Sequence, residues 1–106
     1  MSSEGPFLSA DVSVIIPAYQ AETIIARALD SVLAQTMLPA EIIVIDDGSR
    51  DRTREVVRAY VAKETDCEIR LVEQVNLGAG AARNQGLVVS EKTLVAFLDA
   101  DDEWLP

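Results

Sequence analysis

The run Glu41-Ile42-Ile43-Val44-Ile45, followed at once by Asp46-Asp47-Gly48-Ser49, decides how this chain is read. Its apolar residues do not alternate with polar ones, which is the pattern of a strand buried on both faces. Both faces of a sheet are covered when helices cross over between parallel strands. Three more short runs have the same near-continuous apolarity: Val12-Ser13-Val14-Ile15-Ile16, Ile69-Arg70-Leu71-Val72 and Leu94-Val95-Ala96-Phe97-Leu98. Helical stripes separate them. Ile24, Ile25, Ala28, Leu29, Val32 and Leu33 share one face of a helix over about 22–35. Val56, Val57, Tyr60 and Val61 do the same over about 51–63, with Asp51 or Ser49 available as N-cap. A third helix, over about 78–89, carries a weaker stripe because its centre is rich in Gly and Ala. The order predicts an α/β fold, β-α-β-α-β-α-β, with a doubly wound, Rossmann-like parallel sheet and right-handed crossovers.

That fold has a geometric consequence. All strands of a parallel sheet point the same way, so their C-terminal ends share one rim. Pro17-Ala18-Tyr19, Asp46-Asp47-Gly48-Ser49 and Asp99-Ala100-Asp101 each follow an apolar run and converge there. If the last strand lies beside the first, the crevice between them is the topological switch point, where ligands bind in such sheets.

Composition narrows the chemistry. The 106 residues fit one small domain, and 49% hydrophobic residues supply a core. A net charge of −9 with dispersed basic residues argues against a nucleic-acid partner, whose phosphates would be repelled. The absence of histidine excludes Ser-His nucleophilic catalysis and His-ligated zinc within these residues, so acid–base work falls to Asp or Glu. Cys67 has no second cysteine to pair with and reads as a packing residue. No stretch reaches the roughly 20 apolar residues of a membrane span. The polar segment 1–11 is expected to be a disordered lead-in, with the domain over 12–106 and a cytoplasmic setting.

Each motif admits a plain reading beside a functional one. Asp46-Asp47-Gly48-Ser49 is turn chemistry, or one of its carboxylates accepts hydrogen bonds from a nucleobase or ribose. Tyr19 packs in the core or offers a flat face to a base. Arg83 is a solvated helix arginine or a bidentate partner for a diphosphate. Gly78-Ala79-Gly80 superficially suggests a dinucleotide fingerprint, but that motif must follow the first strand, where Pro17-Ala18-Tyr19 stands. A receiver-like signalling domain would need paired acids after the first strand, and they are absent too. Asp99-Ala100-Asp101 caps a helix start or, as two aspartates one residue apart, holds a hard divalent cation. Asp46, Asp47, Asp99, Asp101 and Asp102 on one rim would repel one another without a cation.

In order, these pieces resemble the family 2 glycosyltransferases of the GT-A fold. The carrying residues are Val12 to Gln20, Ser31 to Thr36, Glu41 to Ser49 with Asp51 and Thr53, Asn76-Leu77-Gly78, Ala82 to Gly86, and Phe97 to Asp102. Gln20 stands where the family usually has Asn.

The resemblance implies a glycosyltransferase of cell-wall or polysaccharide biosynthesis. It would move a sugar from a nucleoside-diphosphate donor (UDP-, GDP- or dTDP-linked) to a hydroxyl of a saccharide or lipid-linked acceptor, with inversion. Pro17 and Tyr19 would line the nucleotide pocket, Asp47 would contact the base edge with Asp46 behind or beside it, and Arg83 would meet the diphosphate. Asp99 and Asp101 would be the D-x-D that binds Mg²⁺ or Mn²⁺, with Asp101 the direct ligand and Asp99 nearer the ribose. The family's domain runs on past the D-x-D into acceptor recognition and the catalytic base. The chain is therefore expected to be the N-terminal, donor-nucleotide half of a GT-A domain, truncated after the D-x-D and inactive alone. At full length the enzyme would be peripheral to the inner face of the membrane. The open edge of the last strand is expected to favour self-association. The alternative is a catalytically inactive nucleotide-binding or interaction remnant.

Overall fold

The computed structural model describes residues 3–4, 11–63, 65–92 and 94–105. In chain order the elements are β1 (Ser3–Glu4), β2 (Val12–Ala18), α1 (Ile25–Leu33), β3 (Glu41–Asp47), α2 (Thr53–Val61), β4 (Glu68–Gln74), α3 (Ala79–Val89), β5 (Leu94–Phe97) and β6 (Trp104–Leu105). Four strands form a parallel sheet in the order β4-β3-β2-β5. This is the Rossmann-like arrangement expected of a GT-A domain. Helices α1 and α2 cover one face through Ile25, Ala28, Leu29, Val32, Val57 and Tyr60. Helix α3 covers the other, where Ala82 packs with Ile15, Ile43 and Ile45. Residues of β2 and β3 are buried along their whole length, as their unbroken apolarity requires. Each fully buried Ile, Leu or Val contributes about 1.5–3 kcal/mol relative to exposure.

The strands run further than their apolar runs. Pro17 lies inside β2, a central strand, although proline cannot donate to a ladder. The pairing explains it. The Ile15 carbonyl accepts from Leu98 N–H, so Ile15 faces β5, and residue 17 faces the same way. Pairing with β5 stops at Ile15↔Phe97, and no donor is needed two residues later. Asp46 and Asp47 are the last residues of β3, opposite Glu73 and Gln74, rather than the start of a turn.

Helix ends also differ from expectation. Arg52 occupies the N-cap position of α2, while the Asp51 carboxylate accepts the Thr53 N–H at 3.0 Å from one residue earlier. Within the segment expected to be a lead-in, Ser3–Glu4 pair in parallel with Trp104–Leu105, and the rest of 1–10 lies outside the described residues. Strand β5 is an outer strand, and its end residues Leu94 and Phe97 are exposed. Among the described residues, no helix is long and apolar enough to cross a membrane. Cys67 is buried, which pushes its thiol up to about 11 and keeps it in the unreactive protonated form.

At the sheet end opposite the rim, buried Glu41 accepts from the Ser13 hydroxyl, Arg70 Nη1 and the Glu91 N–H. Burial is the strongest single influence and raises this carboxyl, but those donors together outweigh it and hold it below the ordinary 4.5. A carboxyl depressed in the folded state adds stability above its unfolded value and loses it as pH falls. Asp47 and Asp51, ordinarily at 3.8, are depressed in the same way. The urea midpoint should therefore be flat from about pH 7 to about pH 5.5 and drop on further acidification. Glu41→Gln should lower the plateau and soften the upper part of the drop. A midpoint that rises through this window would refute the assignment.

Candidate functional site

The site lies where the sheet splits. β2 and β5 part after Ile15↔Phe97, while β2 and β3 stay paired to Ala18↔Asp46. The chain after β5 thus leaves β2 at the topological switch point, carrying Asp99, Asp101 and Asp102 with it.

On the β3 side, Tyr19 directly follows β2 and is 50% exposed. A small cleft beside it is lined by Pro17, Ala18, Asp47 and Ala79. Asp46 is fully buried and does not line that cleft: it alternates with Asp47 along β3 and faces α2 on the other side of the sheet. Its Oδ2 accepts the Ser49 N–H at 3.2 Å and has Arg54 Nε at 3.9 Å, while Oδ1 is a buried side-chain atom without a hydrogen-bond partner among the described residues. Such an atom costs free energy unless a donor reaches it.

Asp47 has the opposite character. Oδ1 accepts from Gln74 Nε2 at 2.7 Å and Leu77 N–H at 2.8 Å. Oδ2 accepts the Gly78 N–H at 3.0 Å and a longer contact of 3.4 Å from Asn76 Nδ2. Burial raises the Asp47 carboxyl, but the Leu77, Gln74 and Gly78 donors prevail and lower it. Asp47 thereby ties the start of α3 to the end of β3. Two oxygens offer about four acceptor sites, so little capacity is left for a ligand.

On the β5 side, α3 brings Arg83 across the crevice. Its Nη2 donates to Asp99 Oδ1 at 2.8 Å. Carboxylate oxygens of Asp99, Asp101 and Asp102 all lie within 4.8 Å of one another. Asp99 is held by Arg83, and the Asp101 carbonyl accepts from Arg27 Nη2 at 3.1 Å. That leaves the exposed Asp101 carboxylate with no hydrogen bond or ion pair among the described residues. A donor set of oxygens alone suits a hard divalent cation, so these residues fit one. A cleft of about 240 Å³ adjoins the cluster, lined by Arg83, Phe97, Asp99, Asp102, Glu103 and Trp104.

The structure thus brings together Pro17, Tyr19 and Asp47 in one group, and Arg83, Asp99 and Asp101 in another, on one rim, while Asp46 is buried on the opposite face of β3. The repulsion expected among five acids is smaller than their number suggests, because Asp46 and Asp47 sit among protein donors. Sequence reasoning gives no structural task to Gln20, Ser49, Asp51 and Thr53 together, yet they stitch the two rim loops to each other. Their one signal in the sequence is a density of hydrogen-bonding side chains.

Comparison with known proteins decides the family. The family model described as glycosyl transferase family 2 matches residues 13–106. The chain belongs to glycosyltransferase family 2. It is 43% identical over 95 residues to an uncharacterized glycosyltransferase of Nostoc sp. strain PCC 7120, covering 90% of this chain and 29% of that one. It is 44% identical over 100 residues to the succinoglycan biosynthesis protein ExoW of Rhizobium meliloti, covering 92% and 31%. The chain therefore spans about three-tenths of the length of these curated relatives. Among solved structures, residues 1–349 of Staphylococcus aureus TarS superpose with a TM-score of 0.77 at 33% identity, covering 87% of this chain and 28% of that 1–349 chain. TarS has also been crystallised with UDP and with UDP-GlcNAc. The fold and family are thus those of a glycosyltransferase.

Proposed function

We propose that this chain forms the donor half of a metal-assisted, inverting glycosyltransferase and binds a UDP-linked sugar. The observation that carries the reading is the pairing of Arg83 with Asp99 beside the Asp101 and Asp102 carboxylates, at the crevice where β2 and β5 part. An arginine and an acidic cluster serve opposite needs of one ligand. The arginine meets phosphate oxygens bidentately, and the acids hold the cation that those oxygens share.

Tyr19 provides a stacking face for the base, and Asp47 lines the same cleft at the base edge. Asp46, buried on the opposite face of β3 and hydrogen-bonded to the Ser49 N–H, supports that strand end from behind. Asp99 is the acid nearer the ribose in this reading, paired with Arg83 at 2.8 Å. The crystallised UDP complexes of TarS favour uracil over guanine or thymine as the base. Mg²⁺ or Mn²⁺ held by Asp101, with Asp99 and Asp102 close by, would stabilise the negative charge of the departing diphosphate.

Acceptor binding and the base that deprotonates the acceptor hydroxyl are assigned to none of these residues. In this reading the 106-residue chain binds donor without transferring sugar. Calorimetric titration with UDP, GDP and dTDP, each with and without Mn²⁺, tests it. UDP should bind most tightly, and only with metal. Equal failure of all three nucleotides would favour the inert remnant, and sugar transfer by the chain alone would refute the division of labour.

A further inference from the structure

We propose that Gln20 is a positioning residue for the nucleotide base, setting Tyr19 against the Asp46–Asp47 end of β3; this rests on the donor-nucleotide reading above. Among the described residues, Gln20 is the one non-glycine with a positive φ, at 50°. Long side chains seldom adopt the left-handed region, and surrounding structure must hold them there.

The holding contacts run both ways between two loops. Gln20 Oε1 accepts the Arg50 N–H at 2.6 Å and the Asp51 N–H at 3.3 Å. In return, the Gln20 N–H donates to Ser49 Oγ at 2.9 Å, Ala21 N–H to Thr53 Oγ1 at 2.8 Å and Glu22 N–H to Asp51 Oδ2 at 3.3 Å. Ser49 N–H in turn donates to Asp46 Oδ2. A short chain of bonds therefore runs from the residue after Tyr19 to the buried Asp46 carboxylate.

This latch has a clear task. Tyr19 is half exposed, so core packing does not fix its ring. The direction of the ring is set by the backbone at 19 and 20, and that backbone is held by the Gln20 amide. Losing the amide should loosen the stacking platform while leaving the Arg83 and Asp99 side of the site in place, since that side is built on α3 and the segment after β5.

Three variants separate amide from backbone. Gln20→Gly keeps the left-handed turn at no steric cost and removes the amide. Gln20→Ala removes the amide and keeps the unfavourable φ. Gln20→Asn retains an amide on a residue that tolerates this region. Each would be titrated with UDP and, separately, with inorganic pyrophosphate, both with Mn²⁺, alongside a thermal midpoint. Gln20→Gly and Gln20→Ala should lose about tenfold in UDP affinity with pyrophosphate affinity within about twofold, and Gln20→Asn should recover most of the UDP loss. Gln20→Gly binding UDP like the unsubstituted chain, or UDP and pyrophosphate weakening in parallel, would overturn the proposal. If the unsubstituted chain binds no UDP, the donor reading fails and this one with it. UDP binding that ignores all three variants overturns only the role of Gln20.

Discussion

Asp101→Asn should abolish the Mn²⁺-dependent part of UDP binding, a loss of about a hundredfold or about 2.8 kcal/mol, and leave folding stability unchanged. The three acids of the cluster differ in what else they do. Asp99 is engaged by Arg83 at 2.8 Å. Asp102 donates its N–H to the Asp99 carbonyl at 2.9 Å and helps shape the turn. Asp101 is anchored through its carbonyl, and its exposed carboxylate is the one that a cation would meet first.

An amide matches a carboxylate in size but carries no charge, so it keeps the turn and weakens the hold on a divalent ion. An exposed substitution of this kind normally shifts stability by no more than about 0.5 kcal/mol. Chelation with EDTA should bring the unsubstituted chain down to the affinity of Asp101→Asn, and should not affect the variant. Asp99→Asn should behave differently, because it also frees Arg83 and so alters diphosphate contact with or without metal. Retention of metal-dependent binding in Asp101→Asn would sink the assignment.

How far the sequence alone reaches can be judged residue by residue. Strands β2 and β3 are legible because a short unbroken apolar run suits a strand covered on both faces. Strands β4 and β5 carry the same pattern while lying partly exposed at the outside of the sheet, and the alternation with helices accounts for the parallel direction of all four. Their ends are not legible. Pro17, Asp46 and Asp47 look like punctuation, yet all three lie inside strands. Pro17 is tolerated because β5 has already left its side, which depends on a register between residues about eighty positions apart in sequence. The two aspartates are tolerated because backbone and side-chain donors reach them from elsewhere.

The site divides along the same line. Acids directly after a buried strand point to Asp99 and Asp101 without any tertiary information. Arg83 carries no such mark, since a helix arginine becomes informative only when α3 crosses the switch point and sets it against Asp99. The Gln20 latch is less visible still, because each of its bonds joins residues 29 to 32 positions apart. Local pattern cannot show such a pairing.

Helix α3 shows the limit most clearly, and it yields the largest expected effect on stability. Its Gly- and Ala-rich centre weakens the amphipathic signal, but those small residues are the reason it fits. Ala82 and Gly86 are its buried positions. A Cβ on Gly86 would stand 2.4 Å from Ile15 Cγ2 and 3.0 Å from Ile15 Cδ1. Ile15 is fully buried in β2 between two neighbouring strands, and its branched side chain has few rotamers to retreat to.

Gly86→Ala must therefore push α3 off the sheet. Overpacking of this kind costs about 1–3 kcal/mol, set against a helix-propensity gain of about 1 kcal/mol from replacing glycine. Because the clash involves a stiff side chain in a central strand, the net should be a loss of about 2 kcal/mol in urea unfolding. Gly80 is the internal control. Among the described residues nothing lies within 4 Å of its would-be Cβ, so Gly80→Ala should stabilise by up to about 1 kcal/mol.

The double variant Gly86→Ala with Ile15→Ala removes the clash, and its loss should be smaller than the sum of the two single losses, the sign of direct contact. Displacing α3 also carries Arg83 away from Asp99, so Gly86→Ala should weaken UDP binding while Gly80→Ala does not. A Gly86→Ala chain as stable as the unsubstituted one would show that α3 can rise without cost, and that its small residues are incidental.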